Sequence, residues 1–121
     1  VRTTSGTVDL DLAIPKAMGG SGDGANPEEL FAAGYAACFH SALQMVARQA
    51  KVAISDTSVG SEVHVLTNEK GGFTLAVNLE VVIPELAHEQ AQALAEAAHQ
   101  ACPYSNATRG NIDVTVTVSQ D

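Results

Sequence analysis

Two cysteines, Cys38 and Cys102, stand 64 positions apart in a chain of 121 residues and are the residues best equipped for covalent chemistry. A thiolate is a strong nucleophile, and a second thiol can condense with the sulfenic acid that an oxidised first thiol becomes. Joined permanently, the pair would close a long loop and stabilise the fold by about 4 kcal/mol in the chain-entropy picture. Secreted disulfide scaffolds are denser in cysteine than this chain, and no segment reads as a secretion signal. A reducing cytoplasm is therefore the expected compartment, where a cysteine pair is catalytic, redox-sensing or simply buried.

The surroundings of the two thiols suggest different jobs. Cys38 falls about three turns inside a helix expected from Asn26 to about Gln49, beyond the reach of the helix N-terminal dipole. A low dielectric raises a thiol pKa, so a reactive Cys38 requires a cation or hydrogen-bond donor. Arg48 cannot serve, since ten residues along one helix is about 15 Å; Arg2, Arg109 or a residue outside the chain must be considered. Cys102 sits at the carboxyl end of its helix, where exposed carbonyls disfavour a thiolate. It reads as a second, condensing thiol.

Other candidates are weaker. His99 and Cys102, three apart on one helical face, raise with Cys38 the idea of a metal site or a Cys-His hydrolase. A structural zinc site usually shows four ligands, often in close pairs, and this chain offers no second clear pair; no metal is expected. His99 reads as a polar or packing residue, His40 points away from Cys38, and His64 and His88 fall on exposed faces. Arg109 reads as fixing the loop around Cys102 by hydrogen bonds. The glycine-rich stretch Met18 to Ala25 lacks the Lys-Ser/Thr ending of a phosphate-binding loop and reads as a connector.

The elements that must position these groups follow from capping and periodicity. Thr7 to Ala13 alternates as a half-buried strand. Asn26, Pro27 and Glu29 form a capping-box start, and the helix they open is apolar or small nearly all round, as expected of a central helix packed on several sides. Ser58 to Leu66 and Phe73 to Ile83 read as strands joined by the turn Asn68 to Gly72. Leu75, Val77, Leu79, Val81 and Ile83 share one face. Pro84-Glu85 opens a second helix with Leu86, Ala93, Leu94, Ala97 and Ala101 on its inner stripe. Pro103 stops that helix, Tyr104 to Gly110 is a loop, and Ile112 to Val118 is a final strand. The order β-α-β-β-α-β implies an α+β domain, an antiparallel sheet with two main helices on one face.

Composition sets the limits. Net charge is −8 and pI about 4.7, so a nucleic-acid backbone or anionic membrane would be repelled. Apolar residues make up 45% and aromatics 4%, which leaves Val, Leu, Ile and Ala to build the core. No apolar run approaches the roughly 20 residues needed to cross a bilayer. A single domain of this size buries only about two thirds of its unfolded surface, which makes an obligate dimer plausible. The chain opens at Val1 rather than Met, and an N-terminal strand or hairpin is expected to be lacking.

Two long motifs then carry a resemblance. Asn26-Pro27-Glu28-Glu29-Leu30-Phe31-Ala32-Ala33-Gly34-Tyr35-Ala36-Ala37-Cys38-Phe39 and His99-Gln100-Ala101-Cys102-Pro103-Tyr104-Ser105-Asn106-Ala107-Thr108-Arg109-Gly110-Asn111 resemble the two signatures of the organic hydroperoxide resistance proteins, within the Ohr/OsmC family. Their spacing fits, as does the strand ending Leu12-Ala13-Ile14-Pro15-Lys16, and the second motif favours this branch over its OsmC sister. The resemblance implies an OsmC-like fold in an intertwined homodimer with two active sites at the subunit interface. Cys38 would be the peroxidatic thiol, Cys102 the resolving thiol, and Glu28 the glutamate that orients a catalytic arginine. Substrates would be organic hydroperoxides, including fatty-acid ones. Dihydrolipoyl groups on lipoylated partner proteins would restore the thiols, with no metal, haem or flavin cofactor. The family's arginine lies upstream of the stretch matching Val1 to Gly6, so Arg2 does not take its place. Along an unbroken helix Glu28 lies about 15 Å from its own Cys38, so each Glu28 is expected to serve the Cys38 of the other subunit. The rival readings are a non-catalytic redox sensor or binding module, and a structural domain with two buried thiols.

Overall fold

Asn26 opens the central helix in the expected way. In the computed structural model, which describes residues 1–120, its Oδ1 accepts from the Glu29 N–H at 2.8 Å. Its Nδ2 donates to Glu29 Oε1 at 3.2 Å. Pro27 occupies the first turn, where its missing N–H costs nothing, and helix α1 runs Pro27–Gln49. It ends in a Schellman motif: Val52 N–H donates to the Ala47 carbonyl at 2.9 Å and Lys51 N–H to that of Arg48 at 3.1 Å. Lys51 takes φ 58° there, a position that favours glycine.

One face of α1 is buried, carrying Tyr35, Phe39, Ala42, Leu43, Val46 and Ala47. Ala33, Ala37, Ser41 and Met45, stacked at four-residue spacing on the other side, are exposed, so packing on several sides is not met within one chain. The length and composition of α1 are also those of a bilayer-crossing helix, which corrects the expectation that no such run exists. Its core face instead meets the domain's own sheet and second helix.

Strand β1 (Ser58–Thr67) pairs antiparallel with β2 (Phe73–Val82) across a turn in which Asn68 Oδ1 accepts from the N–H groups of Lys70 and Gly72. Strand β3 (Asp113–Ser119) completes the sheet in the order β1-β2-β3. The register aligns Val59, Val81 and Val118 in one row, Ser61, Leu79 and Val116 in the next, and Val63, Val77 and Val114 in a third. Of these rows, Val77, Leu79 and Val81 belong to the core with Ile83, and Val59, Val63, Val114, Val116 and Val118 pack against it. The β1–β2 pairing is the antiparallel part of the sheet and the β2–β3 pairing is parallel: the connection is a helical crossover, which returns the chain to the end from which β2 started.

The expected strand Thr7 to Ala13 is corrected as well. Val1 to Leu10 form a small hairpin, with Arg2 bridged to Asp9 and Gly6 at its turn with φ 76°. Leu12 bridges to Ala25. Val8, Leu10 and Leu12 stay 39–44% exposed, outside the three-stranded sheet.

Helix α2 spans His88–Ala101, starting later than Pro84. Glu85 forms a turn instead, and its Oε2 accepts from the Ser55 N–H at 2.8 Å and the Ser55 hydroxyl at 2.9 Å. The buried stripe is Ala91, Leu94, Ala95 and Ala98, whereas Ala93 and Ala97 are exposed. In an alanine-rich helix several faces look equally apolar, so sequence periodicity picks among them poorly. Pro103 does end α2, yet it also begins a short helix α3 (Pro103–Thr108) where a loop was expected.

Candidate active site

Cys38 is held on α1, partly exposed, and packs against the core from its rim. Cys102 is placed by the proline that follows it. Pro103 lacks an N–H and disfavours helical geometry in its predecessor, so Cys102 adopts φ −66°, ψ 122° and serves as both the end of α2 and the N-cap of α3. Its N–H donates to the Ala98 carbonyl at 2.8 Å, its own carbonyl accepts from Asn106 N–H at 3.0 Å, and its side chain is fully buried. Both cysteines are free thiols, and Cys102 Sγ–H donates to Cys38 Sγ across 3.3 Å. The fold thus joins two thiols that lie 64 positions apart in sequence.

Burial pushes the Cys38 thiol above its ordinary range. The opposing influence is the backbone N–H of Tyr104, which acts as a donor to the Cys38 sulfur. Tyr104 lies in the first turn of α3, whose amides have no partner within the helix. α3 therefore supplies the donor that α1 cannot. No side-chain cation of the described residues acts on Cys38. Arg109, one of the candidates, donates through Nη1 to Asn106 Oδ1 at 2.6 Å and through Nη2 to the His99 carbonyl at 2.7 Å. It staples α3 to α2, as expected of a loop-fixing residue.

Glu28 is not brought to its own Cys38. α1 is unbroken from Pro27 to Gln49, so about 15 Å of helix separates them. Glu28 instead lines a cavity of ≈ 460 Å³ with Leu12, Ile14, Pro15, Met18 and Asn26. His64 and His88 are exposed as expected, His64 beside Glu62 at 2.7 Å. His40 Nε2 meets the Thr57 hydroxyl at 2.9 Å. No cluster of three or more metal-ligating side chains exists among the described residues.

Sequence reasoning missed a buried polar cluster beside the thiols. Tyr35 and Ser105 are fully buried and Thr108 nearly so. The Tyr35 hydroxyl lies 2.8 Å from Ser105 Oγ and 3.1 Å from Thr108 Oγ1, and His99 Nδ1 lies 2.7 Å from Ser105 Oγ. Burial holds the His99 pKa below the ordinary histidine range, helped by the Arg109 charge and opposed by Glu96. The signal available in the sequence was Ser105 and Thr108 at helical spacing just after a proline. Tyr104 closes the outer wall, stacked on Phe31 at 6.3 Å between ring centroids and edge-on to Tyr35 at 5.8 Å. Gly34 lets it settle: a Cβ at that position would lie 3.3 Å from the Tyr104 ring.

Comparisons with known proteins agree with this architecture. The family model for OsmC-like proteins matches residues 20–117. The organic hydroperoxide resistance protein of Xanthomonas axonopodis pv. citri is 48% identical over 114 residues, covering 93% of this chain and 80% of that protein. The crystal structure of such a protein from Legionella pneumophila superposes with a TM-score of 0.94 at 50% identity, covering 98% of this chain and 86% of its own. That of OhrB from Bacillus subtilis gives 0.88 at 44% identity, covering 98% and 87%. With both cysteine motifs inside the matched span, the chain belongs to the OsmC-like family, in its organic hydroperoxide resistance branch.

Proposed function

We propose that this chain is a thiol peroxidase that reduces organic hydroperoxides to alcohols. The observation that carries the reading is the Cys38–Cys102 pair, reduced and 3.3 Å apart, with one sulfur reachable from solvent and the other enclosed. In the first step the Cys38 thiolate attacks the outer peroxide oxygen. The O–O bond breaks, an alkoxide leaves and takes a proton to become the alcohol, and Cys38 is left as a sulfenic acid. The Cys102 thiol then attacks that sulfur. An S–S bond of about 2.05 Å forms, the S–O bond breaks, and hydroxide departs with the Cys102 proton as water. A dithiol of the dihydrolipoyl class, carried on a lipoylated protein in the cytoplasm, returns both cysteines to thiols by exchange and becomes a cyclic disulfide.

The first step needs a thiolate, and burial opposes one at Cys38. The arginine of the family's pattern would supply the missing cation and stabilise charge on the departing oxygen. In a homodimer, Glu28 of one copy would orient that arginine at the Cys38 of the other. The separation of Glu28 from its own thiol along α1 supports this arrangement.

The test is turnover of cumene hydroperoxide with dihydrolipoamide by the full-length protein. Steady consumption is expected, lost in Cys38→Ser from the first attack and in Cys102→Ser after one oxidation. A second reading, a redox sensor without turnover, draws on the raised Cys38 thiol, which suits slow, stoichiometric oxidation. Consumption that stops at one equivalent in the presence of excess dithiol would decide for it.

A further inference from the structure

Gly34 and Cys38 stand four apart on α1, one turn from each other on the same face. Cys102 and Tyr104 stand two apart where α2 gives way to α3, with Pro103 between them. The fold sets these two pairs against each other. Cys102 Sγ meets Cys38 Sγ at 3.3 Å, and the outer end of the Tyr104 ring rests over Gly34. A Cβ added at Gly34 would lie 3.3 Å from both Tyr104 Cε2 and the Tyr104 hydroxyl oxygen. Phe31, stacked at 6.3 Å between centroids, and Tyr35, edge-on at 5.8 Å, oppose a sideways turn of the ring.

Glycine is a poor choice for α1 itself. Its backbone at this position is helical, with no positive φ to call for it, and alanine is the better helix former. What glycine provides here is room for Tyr104. Pro103 restricts its own backbone and that of its predecessor, so an outward shift of Tyr104 is passed to Cys102. We infer that Gly34 is a positioning residue for the thiol pair: the notch it leaves on α1 seats the Tyr104 ring, and that seat sets how closely α3 brings Cys102 to Cys38. The inference rests on the reading of Cys38 and Cys102 as partners in a disulfide.

The experiment equilibrates the full-length protein with reduced and oxidised glutathione, then measures the Cys38–Cys102 disulfide by acid quenching, alkylation and mass spectrometry. Each thiol gives up a proton, the pair passes two electrons to oxidised glutathione, and two molecules of reduced glutathione are released. A misplacement of about 1 Å costs roughly a hundredfold. The few tenths of an ångström that a Cβ demands should therefore make Gly34→Ala lower the equilibrium constant for the disulfide by about fivefold. Helix propensity works in the opposite sense, since alanine should stabilise α1. Tyr104→Ala should weaken the disulfide by a similar factor, and it carries the test if Gly34→Ala does not fold. In the Tyr104→Ala background, Gly34→Ala should have no further effect, which separates the seat from a general disturbance of α1. An unchanged equilibrium constant in folded variants, or one that Gly34→Ala lowers equally with and without the Tyr104 ring, overturns the assignment. The readout uses no peroxide: a protein inert to hydroperoxide whose disulfide still weakens in Gly34→Ala loses the peroxidase reading and keeps Gly34 as the positioning residue.

Discussion

Cys38 Sγ and Cys102 Sγ lie 3.3 Å apart, on different helices, with Cys38 open to solvent on one side and Cys102 sealed within the core. On the proposed mechanism an oxidant meets Cys38 first, and its product then lies within reach of Cys102. One equivalent of cumene hydroperoxide should therefore consume two titratable thiols in the reduced protein and one in Cys102→Ser. Loss of a single thiol in the unaltered protein, with a lasting dimedone-reactive sulfur, would show that Cys102 does not close the bond.

Glu28 and its own Cys38 are too far apart along α1 to cooperate. If the glutamate acts across a dimer, mixing inactive Glu28→Gln with inactive Cys38→Ser protein should restore activity. In a mixed dimer, one site then keeps an intact cysteine opposite an intact glutamate. Random exchange would restore about a quarter of the sites, since half the dimers are mixed and each holds one complete site. No recovery after demonstrated subunit exchange would place Glu28 in service of its own thiol or of none.

His99 is held below its ordinary value of 6.5 in the folded chain. Below that value the unfolded chain binds a proton that the folded chain resists, so stability falls as pH drops toward and through the folded pKa. Urea midpoints should decline between neutral pH and about pH 5, and decline less in His99→Gln. Equal declines in the two proteins would assign the acid sensitivity elsewhere.

The buried stripe of α2 makes a sharp pair of substitutions. Ala98 is fully buried and Ala97 exposed. Ala97→Lys should alter stability by no more than about 0.5 kcal/mol. Ala98→Lys would place an unpaired ammonium in the core and should prevent folding or cost at least about 4 kcal/mol. Denaturant unfolding distinguishes them, and similar outcomes would mean that α2 is rotated.

Lys51 holds the left-handed position of the Schellman motif with φ 58°. Lys51→Gly removes the steric penalty of its Cβ, and a gain of about 1 kcal/mol is expected in thermal or denaturant unfolding. A loss would show that the side chain does more than occupy the turn.

The start of α1 at Asn26, the break at Pro103 and the alternating apolar face of β2 were all legible in the chain, because each is set by groups within a few residues of one another. The two cysteine motifs were legible for the same reason. Tertiary structure alone decided the parallel partnership of β2 with β3, the facing stripe of α2 and the meeting of the two sulfurs. It also decided the Tyr35–Ser105–His99 chain, whose members lie up to 70 positions apart. Sequence periodicity says which residues can share a face, but alanine fits any face, and a hydroxyl says nothing of its partner until packing closes water out. Bonds between distant residues are chosen by how the helices settle on the sheet, and that choice depends on the whole core at once.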